Sequence, residues 1–148
     1  MSEATTDDQV VITRDLDLDV PTDELWPLVA DGERWAEWLT EQSDVVVEPT
    51  RGGTVIDDDG VERQVAIEAV IDGERVRFAW WPSDRPDEGS TVELVIAPVP
   101  SDEGHRSRLS VIETYARASA SRPTARRWDV RLMLFVLRFD AVTLARRT

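Results

Sequence analysis

Among the 148 residues of this sequence, the side chain best placed by its neighbours to do chemistry is Glu113. It shares one face of a predicted strand with Leu109 and Val111, so it should point into the interior, where lost hydration raises a carboxyl pKa and suits it to proton transfer. The competing reading bulges or ends the strand there and leaves Glu113 at a wet rim. Trp80 follows Val76 and Phe78 on another inward face. It either packs in the core or offers a flat surface to a planar ligand, while Trp81, of opposite parity, faces out. Tyr115 and Arg63 are polar handles expected at opposite ends of the sheet. His105, the only histidine, sits in the turn-like run SDEGHRSR and is expected to be exposed and idle. One histidine and no cysteine make a poor ligand set for a transition metal, and no metal or other cofactor is expected. Arg51-Gly52-Gly53 could cradle an anion, but no helix follows it and a hairpin turn explains the same residues. Asp57, Asp58 and Asp59 lack the alternation and the terminal Glu of a calcium loop.

These residues need elements to hold them, and the longest is a helix predicted from Trp128 to Ala145, free of internal Gly and Pro. At about 100° per residue, Trp128, Leu132, Phe135, Phe139 and Val142 form one stripe. A second stripe, Val130, Leu134, Leu137, Ala141 and Leu144, lies nearly opposite. Arg127, Arg131 and Arg138 separate the two along one edge, and Asp129 and Asp140 along the other. The aromatic stripe suits a wide groove in a sheet. The second is expected on or near the surface, where pairing of two such helices in a homodimer would cover it; the alternative is that neighbouring segments fold over it.

Ahead of this helix the chain reads mostly as strands. Val10, Ile12, Leu16, Leu18 and Val20 alternate with Asp15, Asp17 and Asp19, a strand half-buried on one face. Pro21-Thr22 ends it and starts a short helix containing Pro27, which Asp31-Gly32 breaks. Residues Glu33 to Thr40 then form another turn or two, with Trp35, Trp38 and Leu39 on one side. Further strands are predicted at Val45 to Glu48, Thr54 to Ile56, Thr91 to Pro98 and Arg108 to Tyr115. Between them, Asp72-Gly73 is the dipeptide of a type I′ hairpin. That turn sets Ile71 opposite Glu74, Ala69 opposite Val76, Ile67 opposite Phe78 and Val65 opposite Trp80, with Glu68 opposite Arg77 on the outer face.

Composition limits the partners. The formal net charge is −13, which argues against nucleic acid and anionic membranes. All 17 basic residues are Arg, which removes lysine-amine chemistry, and the absence of Cys removes thiolate nucleophiles. Neither a signal peptide nor a membrane-spanning run is read, and a cytoplasmic location is expected. Residues 1–8 should form a disordered acidic tail, and 9–148 a single domain.

The order of elements is α+β: a strand, two short helices, about six further antiparallel strands, then the long helix. The run DGERWAEWL (Asp31 to Leu39), then Gly52-Gly53, IDGERVRFAW (Ile71 to Trp80) and RLSVIE (Arg108 to Glu113) before a Trp-led final helix resembles the START-like helix-grip (SRPBCC) superfamily. Within it, the chain is most similar to the group related to the C-terminal domain of activators of the heat-shock protein 90 ATPase. The resemblance spans Val10 to Ala145 and rests on the order of these runs. It implies a curved antiparallel sheet of about six to seven strands around the C-terminal helix, with a cavity between them for a lipid, polyketide or other small apolar molecule. The lining expected is Val65, Ile67, Phe78, Trp80, Leu94, Ile96, Leu109, Val111, Glu113, Tyr115, Trp128, Leu132 and Phe135. The sequence departs from its nearest relatives at Pro27, at Glu113, where many carry His or a small polar residue, and in the second apolar stripe.

Three functions fit. The leading one is binding or sequestration of a small hydrophobic molecule, non-catalytic or weakly catalytic. A cyclase or hydrolase would need an ordered polar partner for Glu113, and a co-chaperone-like interaction module would use the outer helix face.

Overall fold

The computed structural model describes residues 9–100, 106–115 and 127–137. Strand β1 (Val10–Leu18) opens the fold, and its partner is the last strand, β7 (Ser107–Tyr115), running antiparallel from Val10 opposite Tyr115 to Leu18 opposite Ser107. Between them lie β2 (Gln42–Ser43), β3 (Gly52–Ile56), β4 (Glu62–Ile71), β5 (Arg75–Pro82) and β6 (Ser90–Pro98). The seven strands make one curved antiparallel sheet in the order β1-β7-β6-β5-β4-β3-β2. Alternation decides which face is inside: Val76, Phe78 and Trp80 on β5, Val92, Leu94 and Ile96 on β6, and Leu109, Val111 and Glu113 on β7 are all buried.

Helix α1 (Thr22–Ala30) follows β1 and buries Leu25, Leu28 and Val29. Pro21 caps it in an extended conformation, Asp23 and Glu24 complement the helix dipole in the first turn, and Pro27 sits inside it. A 3₁₀ helix, Gly32–Glu37, comes next, its start held by the Asp31 carboxylate accepting from the Glu33 N–H at 3.1 Å. A Cβ on Gly32 would meet the Val45 carbonyl oxygen at 2.0 Å, so only glycine lets the two segments approach this closely. The last helix, α2, is helical through 127–137. Trp128, Leu132 and Phe135 of its aromatic stripe are buried, whereas Val130, Leu134 and Leu137 of the second stripe are exposed. Phe139, Val142, Ala141 and Leu144 lie outside the described residues, as do His105 and residues 1–8.

Rings join the layers: Trp38 meets Phe135 edge-on at 4.9 Å, Trp35 lies 4.8 Å from Phe78, and Phe78 meets Trp80 at 5.4 Å. The 3₁₀ segment thus supplies the filling between sheet and helix.

Two local expectations change. The segment expected as a strand at Val45 to Glu48 is irregular; the pairing strand is the shorter Gln42–Ser43. The β4–β5 turn is one residue longer than a type I′ hairpin, with Ile71 opposite Arg75, Val70 opposite Val76 and Ala69 opposite Arg77. Only Gly73 has positive φ (77°), and the Glu74 N–H donates to the Ile71 carbonyl, the pattern of a type II turn. An irregularity between Ile67 and Ala69 absorbs the extra residue, restoring Ile67 opposite Phe78 and Val65 opposite Trp80. Glu68 still accepts from Arg77 at 2.9 Å.

Candidate functional site

Glu113 is fully buried, and three donors from three elements converge on its carboxylate. The Trp128 indole of α2 donates to Oε1 at 2.6 Å, the Trp80 indole of β5 donates to Oε2 at 3.0 Å, and the Ser90 hydroxyl of β6 donates to Oε2 as well. The Trp80 indole also donates to Ser90 Oγ at 3.0 Å. Strand parity explains the meeting. Ser90 lies on the face of Val92 and Leu94, and the register Trp80 opposite Ser90 opposite Tyr115 places Glu113 one inward position from the sheet's end.

A second charged cluster leans on the same indoles. Arg131 of α2 is 4% exposed, and its Nη2 donates to both oxygens of buried Asp57, each at 3.0 Å. Its guanidinium carbon lies 4.8 Å from the centre of the Trp128 ring and 5.3 Å from that of Trp80, a double cation–π arrangement. Arg63 donates to Asp57 from Nε at 3.1 Å and also lies over Trp80, at 5.5 Å. Burial pushes the Asp57 carboxyl up, but the charge of Arg131, the Asp58 N–H, the Arg131 hydrogen bond and Arg63 outweigh it and leave it lowered. Asp59 is lowered likewise: burial is outweighed by the Val61 N–H and by Arg127, which donates to it from Nη2. The carboxylate oxygens of Asp57, Asp58 and Asp59 lie within 4.8 Å of one another, as in a cation site. Here Arg63, Arg127 and Arg131 supply the positive charge.

Beside this network a cleft of about 370 Å³ opens at the rim of the sheet, where β5, β6 and β7 meet the β5–β6 loop. Trp80, Trp81, Tyr115, Pro86 and Ser90 line it, with Gln9, Thr91 and Thr114. Of the predicted cavity lining, Trp80 and Tyr115 border this cleft. Val65, Ile67, Phe78, Leu94, Ile96, Leu109, Val111, Trp128, Leu132 and Phe135 are buried together in one core, with Glu113 among them. Tyr115 and Arg63 lie at the same end of the sheet, on either side of Trp80, and not at opposite ends: Arg63 is opposite Pro82 and Tyr115 opposite Ser90. Arg51-Gly52-Gly53 forms the entry to β3, where a Cβ on Gly52 would meet the Val65 carbonyl oxygen at 1.9 Å; close backbone packing accounts for that glycine.

Sequence reasoning passed over Ser90, Asp57 and Arg131. Parity carried a signal for the first two, since Ser90 continues Val92 and Leu94 inward and Asp57 follows Val55 by two residues. Arg131 lay on the boundary between the stripes of α2, where the sequence favours neither side.

Chemically, the arrangement fixes a carboxylate whose two oxygens both already accept hydrogen bonds. Such a group holds its donors in place and fixes the position of the elements that carry them.

No protein-family model matches the sequence, and neither does any curated protein. Solved structures do match. CalU16 from Micromonospora echinospora aligns with a TM-score of 0.65 and 17% identity, over 87% of this chain and 83% of that one. DynU16, from the dynemicin biosynthetic locus, aligns at 0.68 and 16% over 88% of this chain, which spans just under half (47%) of that protein. MLL2253 from Mesorhizobium loti aligns at 0.74 and 15%, over 89% and 98%. These likenesses show the fold: the curved seven-stranded antiparallel sheet with its final helix is a helix-grip fold.

Proposed function

We propose that the protein binds a small, largely apolar molecule at the Trp80 end of the sheet, and that binding or sequestration is its task. The observation that carries this reading is the aromatic rim cleft whose wall residue Ser90 is bonded directly to buried Glu113. Its volume of about 370 Å³ falls within the range of small-molecule sites, and Trp80, Trp81, Pro86 and Tyr115 give it apolar walls among the polar Gln9, Asp87, Ser90, Thr91 and Thr114. One neighbour in fold, DynU16, is described as a protein in the dynemicin biosynthetic locus, which supports a small-molecule ligand. A cyclase or hydrolase role draws support from the Ser90–Glu113 contact, but three donors already hold that carboxylate.

The test uses Nile red, a neutral hydrophobic dye. One dye per chain is expected to bind with a blue shift and to quench tryptophan emission. Filling the cleft by Thr114→Trp, on a half-buried wall position, should abolish binding and leave the unfolding midpoint little changed. Dye binding that survives this substitution would overturn the placement.

A separate observation bears on assembly: Val130, Met133, Leu134 and Leu137 of α2 are all exposed. A second copy packing on this face is the arrangement we infer from it. Sedimentation should show a dimer that Leu134→Glu with Leu137→Glu converts to a folded monomer; a monomeric wild type would end the idea.

A further inference from the structure

Among the described residues, the buried charged side chains are Asp57, Glu113 and Arg131. Both carboxylates are supplied with donors on each oxygen. Arg131 is supplied only in part. Its Nη2 serves Asp57, while Nε and Nη1, which carry three of the five guanidinium N–H groups, are enclosed and have no acceptor among the described residues. Buried donors without acceptors are costly, and native interiors rarely keep them without a purpose.

Holding Asp57 does not explain them. Arg63 and Arg127 also reach that carboxylate, at 3.1 and 3.6 Å, and Arg131 spends a single nitrogen on it where a guanidinium fork could offer two. The surroundings of the guanidinium are aromatic, with the Trp128 and Trp80 rings against it. Trp80, whose ring lies against the guanidinium, also borders the rim cleft. Charge then narrows what could fill the gap. The carboxylates of Asp57, Asp58, Asp59 and Glu113 already outnumber the guanidiniums of Arg63, Arg127 and Arg131 around this place, and an anionic guest would add a further negative charge to a water-poor interior. A neutral oxygen satisfies the donors without that penalty.

We propose that Nε and Nη1 of Arg131 form an acceptor-binding subsite for the carbonyl oxygen of a neutral, planar, mostly apolar ligand, reached from the rim cleft by displacement of the Trp80 indole. This deepens the ligand-binding reading above and rests on it. Arg131 orients the guest, and the Trp128 ring, held through its N–H by Glu113, flanks it.

Three probes with one ring skeleton separate the terms: fluorene, with no acceptor; 9-fluorenone, with a neutral carbonyl; and fluorene-9-carboxylate, an anion. Titrated against the full chain by tryptophan quenching, 9-fluorenone should bind at least about tenfold more tightly than fluorene, the worth of a hydrogen bond from a charged donor. Arg131→Met should erase that preference. In the wild type, the Arg131 Nε–H resonance should shift with 9-fluorenone and not with fluorene, a readout that stands even where the variant fails to fold. Equal affinity for the two, or an Nε–H signal unmoved by 9-fluorenone because a resident water already satisfies it, would overturn the subsite and leave the ligand-binding reading intact. Tightest binding of the carboxylate would overturn the choice of a neutral guest. Failure of all three to bind would instead count against the ligand-binding reading itself.

Discussion

Four buried indoles divide into two pairs that use the same N–H group differently. Trp35 and Trp38 donate to the carbonyls of Val29 and Leu28, each at 2.9 Å, within a few residues along the chain. Those carbonyls belong to the last turn of α1, where backbone acceptors lack helical partners, so this pair closes a helix end while its rings fill the core. Trp80 and Trp128 donate instead to the carboxylate of Glu113, and all three come from different elements. The first pair meets a local backbone need. The second gathers a buried charge, and with it the Asp57–Arg131 cluster and the cleft, at one end of the sheet. The difference shows how one residue type can serve as filling in one place and as the frame of a site in another.

The largest effect that would sharpen this contrast is Glu113→Ala. It removes the acceptor of three donors and opens a void, and it should cost about 3–5 kcal/mol in urea unfolding. Glu113→Gln keeps an acceptor oxygen and should cost clearly less; equal losses would mean that volume, and not hydrogen bonding, sets the role of Glu113. Next come the indoles. Trp128→Phe should cost about 2–3 kcal/mol because it strips a donor from a buried charge, against about 1–2 kcal/mol for Trp38→Phe, whose acceptor is neutral. The reverse order would break the distinction.

Gly73→Val lies outside both regions and measures backbone strain alone, since a Cβ there meets nothing within 4 Å. About 1 kcal/mol is expected from its positive φ, with dye binding unchanged. The smallest effect concerns acid. Asp57 has a carboxyl pKa below its unfolded value, so in the acid range the unfolded chain binds more protons than the folded one and stability rises with pH. This contribution is fully present above about pH 4, the unfolded value, and is lost as pH falls through the lower folded value. Arg131→Met should flatten that acid limb, and Trp38→Phe should leave its slope unchanged.

Much of the fold was legible because alternation of apolar residues carries it. The inward faces of β5, β6 and β7 and the buried stripe of α2 follow from parity and helical period alone. The hairpin was legible except for one residue, because Asp72-Gly73 fits more than one turn and the compensating irregularity near Glu68 leaves no mark in the pattern. Glu113 was legible as an inward carboxylate. Its partners were not, since Trp80, Ser90 and Trp128 come together only once strand register and the seat of α2 are known. Arg131 was hidden for a different reason: a guanidinium between two stripes can turn outward as readily as inward, and only the position of Asp57 beneath it decides.

The neighbour relation of β1 and β7 has a consequence for how the chain is made. Strand β1 leaves the ribosome well before its partner β7, and the other described strands lie between them in sequence. During synthesis β2 to β6 can zip up as a meander of successive antiparallel neighbours, while β1 waits unpaired for a partner not yet translated. Closing so long a loop makes this pairing a late and comparatively slow step of folding. Until then β7, once made, presents a bare backbone edge, and a shortage of β1 through truncation or strain would appear first as strand-to-strand aggregation along that edge.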